Sequence, residues 1–286
     1  MTNIEPPRQS TSPHYGKVFL TFARNSLVRD MTFRANFIIE SISSLSWNLM
    51  NFGFYILIFS YTDQIEGWTQ HQFFVFLATF FFINSLVQTF FMPNFEEFSE
   101  LIRTGGLDFA LLKPIDTQFL VSLNRIEWSD LGTLLFGVLL MIYALPNVDP
   151  GSAGLHIGLV QVVLYPIYIL CGVAVMYSFM LSLSATSVWL GRNQSLYNFW
   201  FYITNFARYP MEIYGGNAGG IALRQFFTLV IPILVVVNVP ARLAAKPLEA
   251  QNWSLVIFGL SATILSLLAS RWIFKRSLLS YRSASS

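Results

Sequence analysis

Five stretches of this chain, approximately Ala35 to Phe59, Phe73 to Met92, Phe119 to Leu145, Leu155 to Trp189 and Trp253 to Phe274, are apolar over the length that a helix needs to cross a bilayer. A soluble domain has too little interior to bury five such helices, whereas lipid solvates their side chains without penalty. The composition agrees: of 286 residues 54% are apolar and 11% charged, and the mean hydropathy is +0.55. That charged share is roughly half that of an ordinary soluble domain, too sparse to suit a nucleic-acid ligand. Backbone groups at membrane depth must be satisfied within the segment, so the spans are helices, and the expected fold is an all-α polytopic membrane protein. Cys171 is alone, which excludes an intrachain disulfide and a cysteine-based metal site.

Loop charges set the number of crossings, because Lys and Arg accumulate on the cytoplasmic side. Lys17, Arg24, Arg29 and Arg34 precede the first span, Arg103 and Lys113 follow the second, Arg192 follows the fourth, and Arg271, Lys275, Arg276 and Arg282 close the last. The loops after spans one and three carry Asp63, Glu66 and Asp149 with no Lys or Arg. Between the fourth span and the last lie two shorter apolar pieces, 196–211 and 222–239, separated by Gly215, Gly216, Gly219 and Gly220. Parity allows one of them to cross, so the other is re-entrant or interfacial, and about six spans with both termini in the cytoplasm are expected. Residues 1–14 read as a disordered cytoplasmic tail ahead of a single membrane domain, 15–286. Within it, 15–33 suits an amphipathic interfacial helix or a cytoplasmic extension of span one.

The polar segment from Pro93 to Gly106 reads as one short helix. Asn94 can cap its first turn, Glu97 can complete a capping box, and Gly105 supplies a left-handed stop. Phe95, Phe98, Leu101 and Ile102 share one face, with Glu96, Glu97, Glu100 and Arg103 elsewhere. Such a helix is either a lever for a partner protein or a loop helix packed on its own bundle. Charges near the spans are costly in hydrocarbon. Glu40 lies one to two turns inside span one, and Arg125, Glu127 and Asp130 enter span three at similar depth, so an ion pair between Glu40 and Arg125 is expected, with contact to substrate as the alternative. Arg208 and Glu212, four residues apart, suit a helical pair or, with Tyr209, a pathway or gate. The aromatic set Tyr197, Trp200, Tyr202, Tyr209 and Tyr214 suits an interfacial belt or a path for an aromatic substrate.

The run Gly105-Gly106-Leu107-Asp108 through Leu111-Leu112-Lys113-Pro114 resembles the loop between spans two and three in membrane subunits of type-two ATP-binding-cassette (ABC) transporters. Phe206 to Tyr214, Val230-Ile231-Pro232 and Val239-Pro240-Ala241 are similar to that family as well. The resemblance implies an exporter permease in the bacterial inner (plasma) membrane, whose partners are a second permease chain, the same or related, and a separate cytoplasmic ABC ATPase. It makes 93–104 the coupling helix, with Phe95, Glu97, Phe98 and Arg103 docking the ATPase. It also makes 196–211 the fifth of six spans, at about 35–59, 73–92, 119–145, 155–189, 196–211 and 253–274, and about 222–241 the re-entrant or outward-facing segment before the last.

The chain has no Gly-x-x-x-x-Gly-Lys-[Ser/Thr] loop to cradle a nucleotide. No cofactor is therefore expected on this chain, and ATP and Mg are expected on the partner. His14, His71 and His156 have no ligand spacing. A secondary transporter would place carboxylates at a midplane site between inverted repeats, an assembly protein would have no use for the lever helix, and no constellation of an intramembrane enzyme emerges.

Overall fold

The computed structural model describes residues 14–148, 158–191, 194–246 and 250–281, without the side chains of 194–198 and 250–252; the expected tail, His156, Tyr197, Arg192 and Arg282 lie outside what is described. The chain is helical almost throughout, as lipid solvation requires. An amphipathic helix α1 (Tyr15–Thr32) meets α2 (Arg34–Phe59) at a break on Phe33. A two-stranded hairpin, β1 (Gln64–Ile65) and β2 (Trp68–Thr69), turns the chain through Glu66 and Gly67, both at positive φ. Thr69 and Gln72 then form a capping box that starts α3 (Gln70–Phe90).

Helix α4 (Met92–Arg103) follows α3 with only Phe91 between them, and Gln70–Arg103 amounts to a rod of 34 residues, about 51 Å long at 1.5 Å per residue. Gly105, at φ 74°, ends that rod in the left-handed conformation that favours glycine and starts α5 (Gly106–Leu111). Next come α6 (Thr117–Leu123), a short link extended at Glu127, a 3₁₀ turn (Trp128–Asp130) and α7 (Leu131–Ala144), so the apolar run from Phe119 to Leu145 is not one helix. The break has a physical cause. Asn94 clasps Arg125, donating Nδ2 to its carbonyl at 2.7 Å and accepting its amide at 2.8 Å, while Ser26 Oγ and the Thr89 carbonyl take the amides of Ile126 and Glu127. These partners replace the intrahelical bonds that the link residues forgo.

Helices α8 (Leu159–Ala185) and α9 (Ser187–Leu190) make a second long rod of 32 residues. After α10 (Gln194–Thr204) and two short 3₁₀ turns, α11 (Ala218–Gln225) runs through a π turn to Val230 and breaks at Ile231-Pro232. Helix α12 (Ile233–Ala245) leaves at 88° to it, and α13 (Ala250–Ser280) completes the chain. Among the described residues, five helices are long and apolar enough to cross a membrane, or six if the bent pair counts as one span.

The interior is built from α3, α8 and α12, with α7 and α13 against them. Phe73, Phe74, Phe76, Phe81 and Ile83 of α3 and Ile233, Leu234 and Val237 of α12 are essentially without exposure. At Gly172 the backbones of α8 and α12 come so close that a Cβ would lie 2.8 Å from the Val236 carbonyl.

Contacts sort the bundle into two ends. At one end Phe98 meets Phe274, Tyr15 meets Phe119 and Gln118 bonds Tyr177. At the other, Trp68 bonds Glu212, Lys246 bonds the Gly67 carbonyl and His71 faces Tyr143. The chain goes from the first end at Leu190 to the second at Glu212 through α10, whereas the bent pair both begins and ends at the second.

Candidate functional site

The three longest rods, 70–103, 159–190 and α13, overshoot a ~30 Å hydrocarbon core, and their surplus gathers at the first end, where α4, α9 and the close of α13 pack together. Helix α4 presents two faces there. Phe98 is fully buried against the Phe274 ring, with centroids 6.0 Å apart, and Phe95 is buried against Tyr177 at 5.8 Å. Glu96, Glu97, Glu100 and Arg103 are exposed, the last two paired with each other. Of the four expected docking residues, Phe95 and Phe98 therefore belong to the fold's own packing, and Glu97 and Arg103 lie on the free face. The physical reason is economy of apolar area: the stripe on α4 finds α8 and α13 at hand to cover it. Asn94 does not cap α4, which starts at Met92 and takes its first bonds from Phe91; its side chain holds Arg125 instead.

Apolar exposure resumes just past α4. Phe109 is 73% exposed and Leu112 82%, three residues apart at the end of α5 and followed by exposed Lys113 and Pro114. The i, i+3 spacing of Phe109 and Leu112 was the available signal for this patch, masked by the motif in which it is embedded.

A network behind the patch ties four elements together. Arg271 of α13 donates to Asp116 through two nitrogens, one at 3.0 Å, and to Gln118 Oε1; Gln118 in turn donates to the Tyr177 hydroxyl at 2.7 Å. The Arg271 guanidinium holds the Asp116 carboxyl below its ordinary value, helped by the amide of Phe119. Phe91, at the joint between α3 and α4, meets the Tyr177 ring at a tilt, with centroids 4.8 Å apart. These groups line an open cavity of about 380 Å³. Tyr177 of α8 thus touches α4 through Phe95, and Arg271 of α13 is tied to the start of α6.

The remaining charges are distributed differently from the sequence expectation. Arg125 pairs with Glu127 at 3.2 Å, and Glu40 accepts from Asn36 at 2.6 Å, although both line one cavity; Glu127, two residues from Arg125, is simply nearer than Glu40. Arg208 and Glu212 do not pair either. Pro210 lies between them, and Tyr209 before it is extended (φ −118°, ψ 146°), the conformation a following proline imposes. Glu212 instead accepts from Arg242 and from Trp68 Nε1 at the second end. Arg208 lies over the Phe80 ring at 5.8 Å, with its Nε shielded and unbonded, and Tyr209 stands against Tyr55. Of the expected gate, Arg208 and Tyr209 thus remain beside α2 and α3, and Glu212 is a structural tie. Trp200 is buried, Tyr214 packs on Phe206, and Tyr202 is exposed, so the aromatic set does not form a single lining.

One helix keeps a polar face uncovered. On α2, Asn36, Glu40, Ser43 and Trp47 are exposed at helical spacing, while Asn48 and Ser44 point inward to Thr133. Polar groups in such a position are costly against lipid.

Rods that overshoot the bilayer and a re-entrant-like bend define a polytopic helical membrane protein with an extramembrane end. A family model described as ABC-2 family transporter protein matches residues 45–285, and the chain belongs to that family, as a permease component of an ABC transporter. Neither a curated protein nor a solved structure matches it.

Proposed function

We propose that this protein is the permease of an ATP-driven exporter, with the first end of the bundle in the cytoplasm. A separate ABC ATPase, carrying ATP and Mg, docks on the exposed side of α4 and α5. The observation that carries this reading is the pairing of an exposed acidic and apolar surface, Glu97, Phe109 and Leu112, with a rod continuous into the buried core. ATP-driven closure of the ATPase displaces α4, the Tyr177 and Arg271 contacts carry the displacement into α8 and α13, and the interior repacks between two arrangements.

Lys and Arg at the first end agree with that sidedness. Six crossings follow, with α10 and its 3₁₀ continuation as the fifth and the 88° pair re-entrant from the outside. The pathway runs along α2 beyond Glu40, past Ser43 and Trp47, at an interface with a second permease chain that covers this face with protein and water. Arg208 and Tyr209 stand at its outward part.

Purification in mild detergent of the tagged chain with its native partners tests the docking surface, using identification of bound proteins by mass and vanadate-sensitive ATP hydrolysis as readouts. Wild type should retain an ABC ATPase. Phe109→Asp with Leu112→Asp should lose it, while Tyr61→Asp, equally exposed at the opposite end, should keep it. Retention by all three would sink this docking site.

A further inference from the structure

Where α1 gives way to α2, the backbone breaks at Phe33 (φ −102°, ψ 45°) and a cavity of about 350 Å³ opens beside the break. Its wall is charged. Arg29 and Asp30 come from α1, Asn36 and Glu40 from α2, and Arg125 and Glu127 from the link before α7. Part of that charge holds the wall together. Asp30, buried, accepts from Arg29 at 3.1 Å and from the Trp128 amide at 3.4 Å, and Arg125 meets Glu127 through Nη2.

The capacity left over is what points to a ligand. Arg125 engages Glu127 through Nη2 alone among the described residues, and its side chain is 40% exposed. Glu40 is exposed and its one hydrogen bond, from Asn36, engages a single oxygen. Guanidinium donors and a carboxylate thus face one space, each with bonding capacity to spare.

Depth narrows the chemistry further. Glu40 lies six residues beyond the start of α2, about 9 Å along it, within reach of the headgroup layer that flanks a ~30 Å core. The flank toward the bilayer is bare hydrocarbon, with Phe33, Ile38 and Ile39 each more than half exposed. A free ion would leave that flank unused, whereas an amphiphile uses both parts. Guanidinium groups are suited to phosphate, and a carboxylate to a primary ammonium.

We infer that this cavity binds the phosphoethanolamine headgroup of a membrane phospholipid, with Arg29 and Arg125 on the phosphate and Glu40 on the ammonium. The site does not depend on the export reading, since it needs only the bilayer in which the chain resides.

The test places the intact chain in nanodiscs holding equal amounts of phosphatidylethanolamine and phosphatidylcholine, with retained lipid counted by native mass spectrometry. Phosphatidylcholine keeps the phosphate and the acyl chains but has no N–H to donate to Glu40. Wild type should favour phosphatidylethanolamine by about tenfold, the scale of one charge-assisted hydrogen bond. Glu40→Gln should lose the preference yet keep lipid, and Arg125→Gln should lose both lipids, with partial return in Arg125→Lys. Equal retention of the two lipids by wild type overturns the inference, and that comparison requires no variant to fold. Soluble phosphoethanolamine that binds as tightly as the lipid would move the site to a water-soluble phosphate ester and overturn the lipid assignment; failure to compete supports it.

Discussion

Helices α2 and α3 are neighbours in sequence and both are apolar enough to span a membrane, yet their surroundings are opposite. Of the most apolar eighteen residues in each, 67% are buried along the α3 rod and 11% along α2. Helix α3 is enclosed by α7, α8 and α12, and even its polar Thr79 is matched, to the Tyr165 hydroxyl at 2.9 Å. Helix α2 leans on α7 and the link before it, leaving Asn36, Glu40, Ser43 and Trp47 outward. Apolarity alone therefore does not say what a span is for. The enclosed helix supplies stability within the bundle, and the open one keeps most of its surface outside it.

The largest expected effect tests that division directly. Phe76→Ala empties a fully buried position on α3 and should cost about 3–5 kcal/mol. Phe54→Ala on α2, where the ring is 56% exposed, should stay within about 0.5 kcal/mol in the isolated subunit. Unfolding of both variants in one detergent measures the contrast, and equal losses would break it.

A smaller effect is expected at the second end, where a charge pair ties α12 to the segment after α10. Glu212 and Arg242 retain about a fifth of their side-chain exposure, and Glu212 also takes the indole N–H of Trp68 just before α3. Arg242→Met strands that carboxylate and should cost about 3 kcal/mol, near the lower end for a broken buried pair. Adding Glu212→Gln should restore part of the loss. A double variant no better than the single would show that packing, not charge, holds this tie.

Much of the enclosure was legible in the apolar runs, because helix length and lipid solvation leave few alternatives, and Gly105 announced the turn it makes. The all-α polytopic fold and the family both follow from those runs and from the motif at 105–114. Contacts made across the chain were not legible. The run from Phe119 to Leu145 reads as continuous, but Asn94, 31 residues away, clasps the Arg125 backbone and holds it out of the helix. The amphipathic stripe of α4 could be seen, though not whether its cover would be a partner or α8 and α13, since periodicity locates a buried face without naming what buries it. Pro210 did carry a warning against pairing Arg208 with Glu212 through a helix.

The smallest effect concerns the tie between α13 and the start of α6 at the first end. Asp116 and Arg271 are each more than a third exposed, so water screens their attraction, and Asp116→Asn should cost about 1 kcal/mol or less. Its pH dependence is more telling than its size. The Asp116 carboxyl is held below its ordinary value in the folded state, first by the Arg271 hydrogen bond. Its contribution is therefore complete above the unfolded value, roughly pH 4, and is lost as pH falls through the lower folded value. Thermal unfolding of wild type and Asp116→Asn should run parallel above about pH 5 and converge below it, as wild type gives up what the variant never had. A constant offset at every pH would mean that the Asn side chain disturbs the turn that starts α6, where Asp116 accepts the Phe119 amide at 3.2 Å, and that the link to α13 contributes nothing measurable. Convergence would show that the Asp116 charge is what ties α13 to the start of α6.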